Sequence, residues 1–423
     1  MKKTLSTINY KAVKNAGTAF FTFAVLVSSS IGFSQTAYIT NSGDNTVSVI
    51  KVATNTVAAT IPVGAIPEGV SVSSDGNKVY IANENAGTVS VINTSTNTVS
   101  ATISVGGNPR GICVSPDCTT LYVVTGNGIT FSVSVINTAT NTVSTTIPVG
   151  TAPQGICVSP DGSKVYVANT VDNSVSVIDA STNSVLTTIA IGTGMSPYGL
   201  CVSPDGSRVY VTNENNSTVR IINAVSNVLS YTINVGSSPT AIAVSPDGSK
   251  VYVANGGTTT VSVINTATVT VSTTINVGST PKGLSVSPDG SKVYVANGSS
   301  SVSVINTTTN AISTTVSVGS LPYAFGNFIS TANVSSVGIL ETKDSNTFSI
   351  YPNPFTLQTT VTFNEEQSNT NIKIIDGLGK EIKAINFTGR QLIIEKSEMK
   401  AGIYFVLITD EKKNVINKKV VIQ

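Results

Sequence analysis

The sequence contains no histidine and no tryptophan, and charged residues make up only 11% of its 423 residues. Nucleophilic triads rely on a base that titrates near neutral pH, usually histidine, so this absence argues against that class of hydrolase. Metal sites built from cysteine and histidine lack one of their two ligand types for the same reason. We therefore expect a protein that is not an enzyme and that holds no cofactor and no metal.

Cysteine is also scarce, with four residues in the chain. Cys113, Cys157 and Cys201 follow one another at intervals of 44 residues, each in the same local sequence. Equivalent points in neighbouring repeats are expected to lie farther apart than the roughly 4.4 to 6.8 Å between the Cα atoms of a disulfide. We interpret these three as small buried residues and Cys118 as an unpaired turn residue, with a disulfide framework as the alternative.

The first 34 residues differ in composition from the rest of the chain. They carry four lysines and no acid, then an apolar stretch, then the small residues Gly32 and Ser34 ahead of Gln35. This layout predicts a secretory signal peptide over residues 1–34. The alternative is a membrane anchor, but the most apolar part, Ala19 to Val27, is shorter than the roughly 20 residues that span a bilayer. We expect no transmembrane anchor after cleavage.

Removal of this segment changes the formal net charge from +2 to −2. A chain so close to neutral has no basic surface for nucleic acid, which we exclude as a partner. Serine, threonine, valine and asparagine are abundant, and valine and threonine are typical of β-strands. The composition therefore predicts an all-β fold.

The sequence VSPDGSKVYVAN occurs at 158–169, 244–255 and 286–297, and related SPDG turns recur every 42 or 44 residues. In such a turn proline presets φ, aspartate bonds its own backbone and glycine accepts a positive φ. One unit, residues 154–191, divides into four short β segments bounded by turn residues. A period in the low forties with four strands per unit is typical of β-propeller blades.

Seven second-strand motifs and seven first strands can be counted. The mature chain begins on a second strand at 37–41 and leaves the repeats on a first strand at 323–330. Pairing of these two segments would complete a seventh blade and leave no open sheet edge between the chain ends. We predict a seven-bladed β-propeller over 36–330, closed by N- and C-terminal strands that share one blade, with an open solenoid as the alternative.

The tetrapeptides YITN, YIAN, YVAN and YVTN, followed by TVSVINTATNTVSTTIPVG and PxGIxVSPDG, resemble the YVTN-type β-propeller repeats of bacterial and archaeal surface and exported proteins. The departures from this pattern cluster in one blade, which has Thr125 in place of asparagine and Cys118 in place of the turn glycine. The streptogramin-lyase-like and quinone-dependent propellers that resemble this fold use histidine or tryptophan, and this chain has neither.

A linker at 331–346 precedes a charged segment, 347–423, whose alternating pattern predicts a small β-sandwich of about seven short strands. Several motifs of this segment resemble the C-terminal sorting domain of the Bacteroidetes type IX secretion system, and an ordinary adhesive sandwich is the alternative. The resemblance implies the type IX secretion machinery as a partner and a secreted or outer-surface location. The residues that match the sorting motifs are Tyr351, Pro352, Asn353, Pro354, Gly402, Tyr404, Lys418 and Lys419.

Variation between the repeats indicates where a binding site lies, because every blade needs the same scaffold. The position that begins each first strand, at the predicted channel mouth, differs in every blade but for a repeated tyrosine. We call these the rim residues: Glu68, Arg110, Gln154, Tyr198, Thr240, Lys282 and Tyr323. Tyrosines with charged residues can hold a glycan, a peptide or a surface-matrix ligand, and the alternative is a solvated loop surface.

Loops after the second strands add an acidic arc of Asp44, Glu84, Asp172 and Glu214, a weaker candidate for a hard cation. We predict a secreted or cell-surface propeller that acts as a binding, adhesion or structural scaffold module. The alternative is a lactonase-like or lyase-like hydrolytic propeller acting on an extracellular small molecule or glycan. Two carboxylates facing each other in a deep mouth would favour the enzyme, and a shallow rim lined by serine and threonine would favour adhesion.

Overall fold

The computed structural model describes residues 35–330, 348–353, 355–376, 381–396, 399, 402–409 and 415–422. The predicted signal peptide and linker lie outside these residues. Six antiparallel four-stranded sheets and one three-stranded sheet follow one another along residues 36–317. Each sheet is one blade, and its strands are numbered in chain order.

Blades 1 to 3 comprise β4 (Pro67–Val72), β5 (Lys78–Asn83), β6 (Thr88–Asn93) and β7 (Thr98–Ser104); β8 (Ile112–Val114), β9 (Thr120–Gly126), β10 (Phe131–Asn137) and β11 (Thr142–Pro148); and β12 (Pro153–Val158), β13 (Lys164–Asn169), β14 (Ser174–Asp179) and β15 (Ser184–Ala190). Blade 2, which departs most from the repeat, has the shortest first strand.

Blades 4 to 6 comprise β16 (Pro197–Val202), β17 (Arg208–Asn213), β18 (Thr218–Asn223) and β19 (Val228–Asn234); β20 (Pro239–Val244), β21 (Lys250–Asn255), β22 (Thr260–Asn265) and β23 (Thr270–Asn276); and β24 (Pro281–Val286), β25 (Lys292–Asn297), β26 (Ser301–Asn306) and β27 (Ala311–Ser317). A 3₁₀ turn at Glu214–Asn216 links β17 to β18.

Blade 7 combines both ends of the repeat region. It contains β1 (Thr36–Asn41), β2 (Thr46–Lys51) and β3 (Thr56–Pro62), and the segment 322–330 lies antiparallel to β1 as the fourth strand. The amide of Tyr38 donates to the Phe328 carbonyl at 2.9 Å, and that of Tyr323 donates to the Thr40 carbonyl at 2.9 Å. The predicted seven-bladed, closed propeller is confirmed, and the open solenoid is ruled out.

Contacts between blades 6 and 7 complete the ring. The Lys292 ammonium donates to the Val52 carbonyl at 2.7 Å, and the Tyr294 hydroxyl bonds Asn55 Oδ1 at 2.6 Å. Equivalent cations in other blades bond the carbonyl after the third strand of the next blade, as Lys164 does with Ala224 at 2.7 Å. Because the same contact recurs from blade to blade, it belongs to the scaffold.

The repeated letters of the sequence build the turns and the core. In each SPDG turn the serine hydroxyl donates to the aspartate carboxylate, for example Ser159 to Asp161 at 2.5 Å. This bond and the amide of Ser163 lower the pKa of Asp161 to about 2. The second-strand tyrosines are buried between blades. These aspartates and tyrosines are therefore architectural, as predicted from their repetition.

The C-terminal domain contains β28 (Phe348–Tyr351), β29 (Gln358–Asp376), β30 (Glu381–Glu395), β31 (Gly402–Thr409) and β32 (Val415–Ile422). One half of β29 pairs with β28, the other half pairs with β31, and β30 pairs along both halves. Buried residues from both halves form one apolar cluster. The described residues thus form five strands, two of them long, rather than seven short ones, because the two long strands each span both halves.

All four cysteines carry free thiols. Burial raises the pKa of the Cys113 thiol to about 11. Within the described parts of the chain, no helix is long and apolar enough to cross a membrane.

Candidate binding site at the channel mouth

Glycines bring the rim residues together. A glycine follows five of the seven rim residues, and a Cβ atom at Gly155 would lie 2.3 Å from the Tyr198 carbonyl oxygen. A Cβ atom at Gly111 would lie 2.2 Å from the Gln154 carbonyl oxygen. Only glycine permits so close an approach between neighbouring first strands. The first strands of neighbouring blades therefore lie side by side around the mouth.

Arg110 joins three blades in one network. Its guanidinium donates to Glu84 Oε1 from Nε at 2.9 Å and from Nη2 at 2.5 Å, and to Gln154 Oε1 from Nη1 at 3.0 Å. Glu84 lies in the loop after β5 of blade 1, Arg110 precedes β8 of blade 2, and Gln154 lies in β12 of blade 3. A charge-assisted pair of this kind fixes the position of both side chains.

Two tyrosines cross the channel mouth. Tyr198 of blade 4 and Tyr323 of blade 7, which lie on opposite sides of the ring, are joined by a hydrogen bond between their hydroxyl groups. Their rings pack edge-on against Phe325, with ring centroids 5.4 and 6.5 Å from it. Burial raises the pKa of Tyr198 to about 12 and raises that of Tyr323 well above its ordinary value. Both phenols are therefore neutral donors at physiological pH.

Lys282 and Thr240 take different positions at the mouth. The Lys282 ammonium lies over the Tyr323 ring, 6.0 Å from its centroid. Thr240 is 4% exposed, and its hydroxyl donates to the Lys282 carbonyl at 3.0 Å. Six of the seven rim residues thus present side chains at the mouth, whereas Thr240 turns inward and supports the neighbouring strand.

Glu68 has an unusual titration. Burial, and to a smaller extent the nearby Glu84 carboxylate, raise its pKa to about 7. Arg110 and Lys282 partly oppose this rise. Its neighbour Glu84 is bonded to the Arg110 guanidinium. The mouth therefore holds two adjacent carboxyl groups in different environments, one ion-paired and one close to half-protonated at neutral pH.

Below the tyrosines the channel is narrow and apolar. A cavity of about 30 Å³ there is lined by aliphatic and glycine residues with Phe325. Such a cavity has room for water but not for an organic ligand. The mouth, whose polar surface we call the basin, therefore holds two adjacent carboxyl groups above a cavity that admits only water, and its rim is not the one lined by serine and threonine that was considered from the sequence.

The acidic arc does not converge on one point. Asp44 and Asp172 accept from the backbone amides of Ser320 at 2.6 Å and of Thr151 at 2.7 Å, so both serve as loop ties. Among the described residues there is no group of three or more side chains arranged to hold a metal ion.

The sorting-motif residues lie at both ends of the C-terminal domain. Asn353 Oδ1 accepts from the Val421 amide at 2.8 Å, which ties the YPNP segment to β32. Tyr351 is 80% exposed, and Pro352 accepts from the Thr359 hydroxyl at 2.6 Å. Gly402 begins β31, and Tyr404 in the same strand is buried. In β32, Lys418 pairs with Val406 and Lys419 with Phe405. Pro354 lies outside the described residues.

Sequence reasoning missed two members of the mouth. Glu84 was assigned only to the acidic arc, although it is the ion-pair partner of Arg110. Phe325, the ring between the two tyrosines, was read only as part of a first strand. The pairing of Glu84 could have been predicted from the sequence, because an acid in the loop of one blade precedes an arginine at the rim of the next blade. Nothing in the sequence distinguished Phe325 from the apolar residues of the core.

The fold and the mouth define a seven-bladed β-propeller with two polar networks at one end of its channel. Three family models match the chain: a YNCE-like beta-propeller at residues 12–131 and 119–221, a lactonase-type 7-bladed beta-propeller at 222–318, and a secretion system C-terminal sorting domain at 349–423. The chain is therefore a repeat β-propeller protein with a type IX C-terminal sorting domain, as its motifs predict.

No curated protein matches the chain. Among solved structures, hydrazine synthase of Kuenenia stuttgartiensis is 22% identical, with a TM-score of 0.59 over 64% of this chain and 92% of that one. A functionally unknown protein from Desulfotomaculum acetoxidans is 19% identical, with a TM-score of 0.60 over 69% of this chain and 99% of that one. At these identities the similarity shows the fold alone.

Proposed function

We propose that this protein is an extracellular binding module whose propeller holds a ligand at the channel mouth. The observation that carries the proposal is that the rim residues, which lie where the repeats differ, contact one another: Arg110 bonds Gln154, Tyr198 bonds Tyr323, and Lys282 lies over the Tyr323 ring. A scaffold alone needs no such cluster, because the blades are held together by contacts that recur from repeat to repeat. Tyrosine and arginine are the residues most often enriched in binding surfaces.

Export by the type IX route would place the protein outside the outer membrane. The sorting domain at 349–423 and the predicted signal peptide at 1–34 together support passage across both membranes, with attachment to the outer surface or release. Adhesion to a glycan, a peptide or the surface matrix is the role that fits a closed propeller whose mouth presents polar and aromatic side chains.

A second candidate is a hydrolytic enzyme of the lactonase type. Glu68, whose pKa is about 7, lies beside Glu84, which pairs with Arg110, and a carboxyl group that titrates near neutral pH is suited to general acid or base catalysis. The match of residues 222–318 to a lactonase-type propeller model favours the same class. Against it stands the absence of histidine, the usual base that activates a nucleophile.

Fractionation of producing cells, with intact mass of the exported protein, tests the location. We expect a mature form that begins near Gln35 in the medium or on the outer surface, and a variant lacking 349–423 that accumulates in the periplasm. A variant that reaches the surface without these residues would contradict the proposed route.

Attachment assays test the binding role. A variant with Arg110→Gln, Tyr198→Phe and Tyr323→Phe should lose attachment to glycans, matrix or partner cells, whereas a control with Lys51→Gln and Tyr231→Phe on exposed outer positions should keep it. Unchanged attachment by the first variant would refute a ligand site at the mouth. Turnover of a panel of lactones that is abolished by Glu68→Gln would instead favour the enzyme.

A further inference from the structure

Lys282 is a cation of the mouth that forms no ion pair with a described residue. The other charged side chains there are Glu84 and Arg110, which pair with each other, Glu68, and Glu214, which acts electrostatically on Tyr198. Glu68 is buried beside the Glu84 carboxylate, and its pKa is raised to about 7. The Lys282 ammonium is therefore available to pair with a bound anion.

Lys282 and Glu68 flank the same tyrosine. Lys282 begins blade 6, Tyr323 begins the fourth strand of blade 7, and Glu68 begins blade 1, so the three rim positions are consecutive around the ring. The Lys282 ammonium lies over the Tyr323 ring, and Glu68 makes no ion pair with it within the described structure. A ligand group over Tyr323 would therefore touch a cation on one side and a carboxyl group on the other.

The free hydrogen-bonding groups of the basin favour an acceptor. In the bond between the Tyr198 and Tyr323 hydroxyls one oxygen donates and the other accepts, which leaves one phenolic proton to donate elsewhere. The Lys282 ammonium adds three donors. The Gln154 amide accepts from Arg110 through its oxygen, so its NH₂ group remains a donor for a ligand hydroxyl.

We propose that the mouth binds a singly charged oxyanion carried on a sugar ring, a carboxylate or a sulfate ester, with Lys282 as its ion-pair partner. This inference rests on the proposed binding function and specifies its ligand class. Lys282, a single cation that forms no ion pair with a described residue, matches one negative charge, and a doubly charged phosphate would place surplus negative charge beside Glu84. The ring hydroxyls match the donors and acceptors of Gln154 and the tyrosines.

Glu68 couples this binding to a proton. The groups that face Glu68 are Glu84, Arg110, Lys282, Tyr198 and Tyr323, and of these only Glu84 is a carboxyl group. A bound anion adds a second negative neighbour, so the protonated form of Glu68 is favoured in the complex. Binding should therefore take up a proton above pH 7 and weaken as pH rises.

Calorimetry of the mature protein, including its C-terminal domain, tests the inference with D-glucuronate, D-glucose 6-sulfate and neutral D-glucose as probes. We expect at least one anionic probe to bind at least tenfold more tightly than glucose at pH 6. Its affinity should fall towards about tenfold per pH unit above pH 7, the limit for one coupled proton. The anion that binds identifies the source as a carboxylated or a sulfated glycan.

Two variants and a matched control separate the roles. Lys282→Met should remove the preference for the anion, Glu68→Gln should keep the binding but lose its pH dependence, and Lys51→Met, which changes the same net charge at an exposed position, should alter neither. Glucose bound as tightly as both anions, or Lys282→Met without effect, would overturn the anion site while leaving the binding function standing. If no sugar binds and the Arg110, Tyr198 and Tyr323 triple variant still attaches, both proposals fail.

Discussion

Tyr198 and Tyr323, which are 125 residues apart in the sequence, bond to each other through their hydroxyl groups across the mouth of the propeller channel. The contact links blade 4 to blade 7 and caps the apolar channel. It exists only because the ring is closed, since the two strands belong to blades on opposite sides.

This bond should contribute to stability. We expect Tyr198→Phe and Tyr323→Phe each to lower the free energy of unfolding by about 1 kcal/mol, because each leaves the other hydroxyl in a largely buried site without its partner. Urea denaturation of both single variants and the double variant gives the coupling energy. Tyr231→Phe, at an exposed outer position, is the control and should have no effect. Strict additivity of the two substitutions would argue against the bond.

The titration of Glu68 makes stability depend on pH. Its pKa is raised from 4.5 to about 7, so the folded state binds the proton more tightly than the unfolded state does. This contribution is complete below pH 4.5 and is lost as pH rises to about 7, at most about 3 kcal/mol at 1.36 kcal/mol per pKa unit.

Comparison with Glu68→Gln isolates that effect. The wild-type protein should lose stability relative to the variant between pH 5 and pH 8, as measured by urea denaturation at both values. A difference between the two proteins that stays constant over this range would show that Glu68 titrates normally.

Ring closure can be tested at Phe328, which is fully buried against blade 7. Phe328→Ala should lower the free energy of unfolding by about 3 to 5 kcal/mol, the usual cost of truncating a buried phenylalanine. Leu321→Ala, at the exposed residue that directly precedes this segment and is 56% exposed, should change it by less than about 0.5 kcal/mol. Equal effects of the two substitutions would mean that segment 322–330 does not pack into the blade.

One hairpin has a β-branched residue at a position with positive φ. Val269 has φ of 57°, at a position where the other blades place asparagine, as at Asn310 with φ of 51°. A β-branched residue is strained in this conformation, whereas asparagine adopts it readily.

The reciprocal exchange tests this strain. Val269→Asn should raise the free energy of unfolding by about 1 kcal/mol despite the loss of some apolar contact, and Asn310→Val should lower it by about as much. The readout is the midpoint of urea denaturation. A stabilising effect of Asn310→Val would contradict the explanation.

The rim was identified from the sequence because its residues break the repeat, as Arg110 and Tyr198 do, whereas the turn aspartates and core tyrosines keep it. Thr240 shows the limit of that reasoning, because it also varies but its hydroxyl bonds a backbone carbonyl. The direction of a side chain depends on the neighbouring blade, which a strand pattern does not contain. The length of β29 and β30 was unpredictable for a similar reason, since irregular pairing lets one strand pass through two halves of a sheet.

The sequence alone determined the repeat, the number of blades, the turn chemistry and the shared blade, because each depends on short-range pattern and on strand arithmetic. Only the tertiary structure decided which rim side chains meet, that Arg110 pairs with Glu84, and that Lys282 forms no ion pair with a described residue. The pairing of Arg110 with Glu84 depends on the packing of neighbouring blades, whereas the bond between Tyr198 and Tyr323 depends on closing the ring, which brings together residues that are 125 positions apart. The same closure raises the pKa of Glu68.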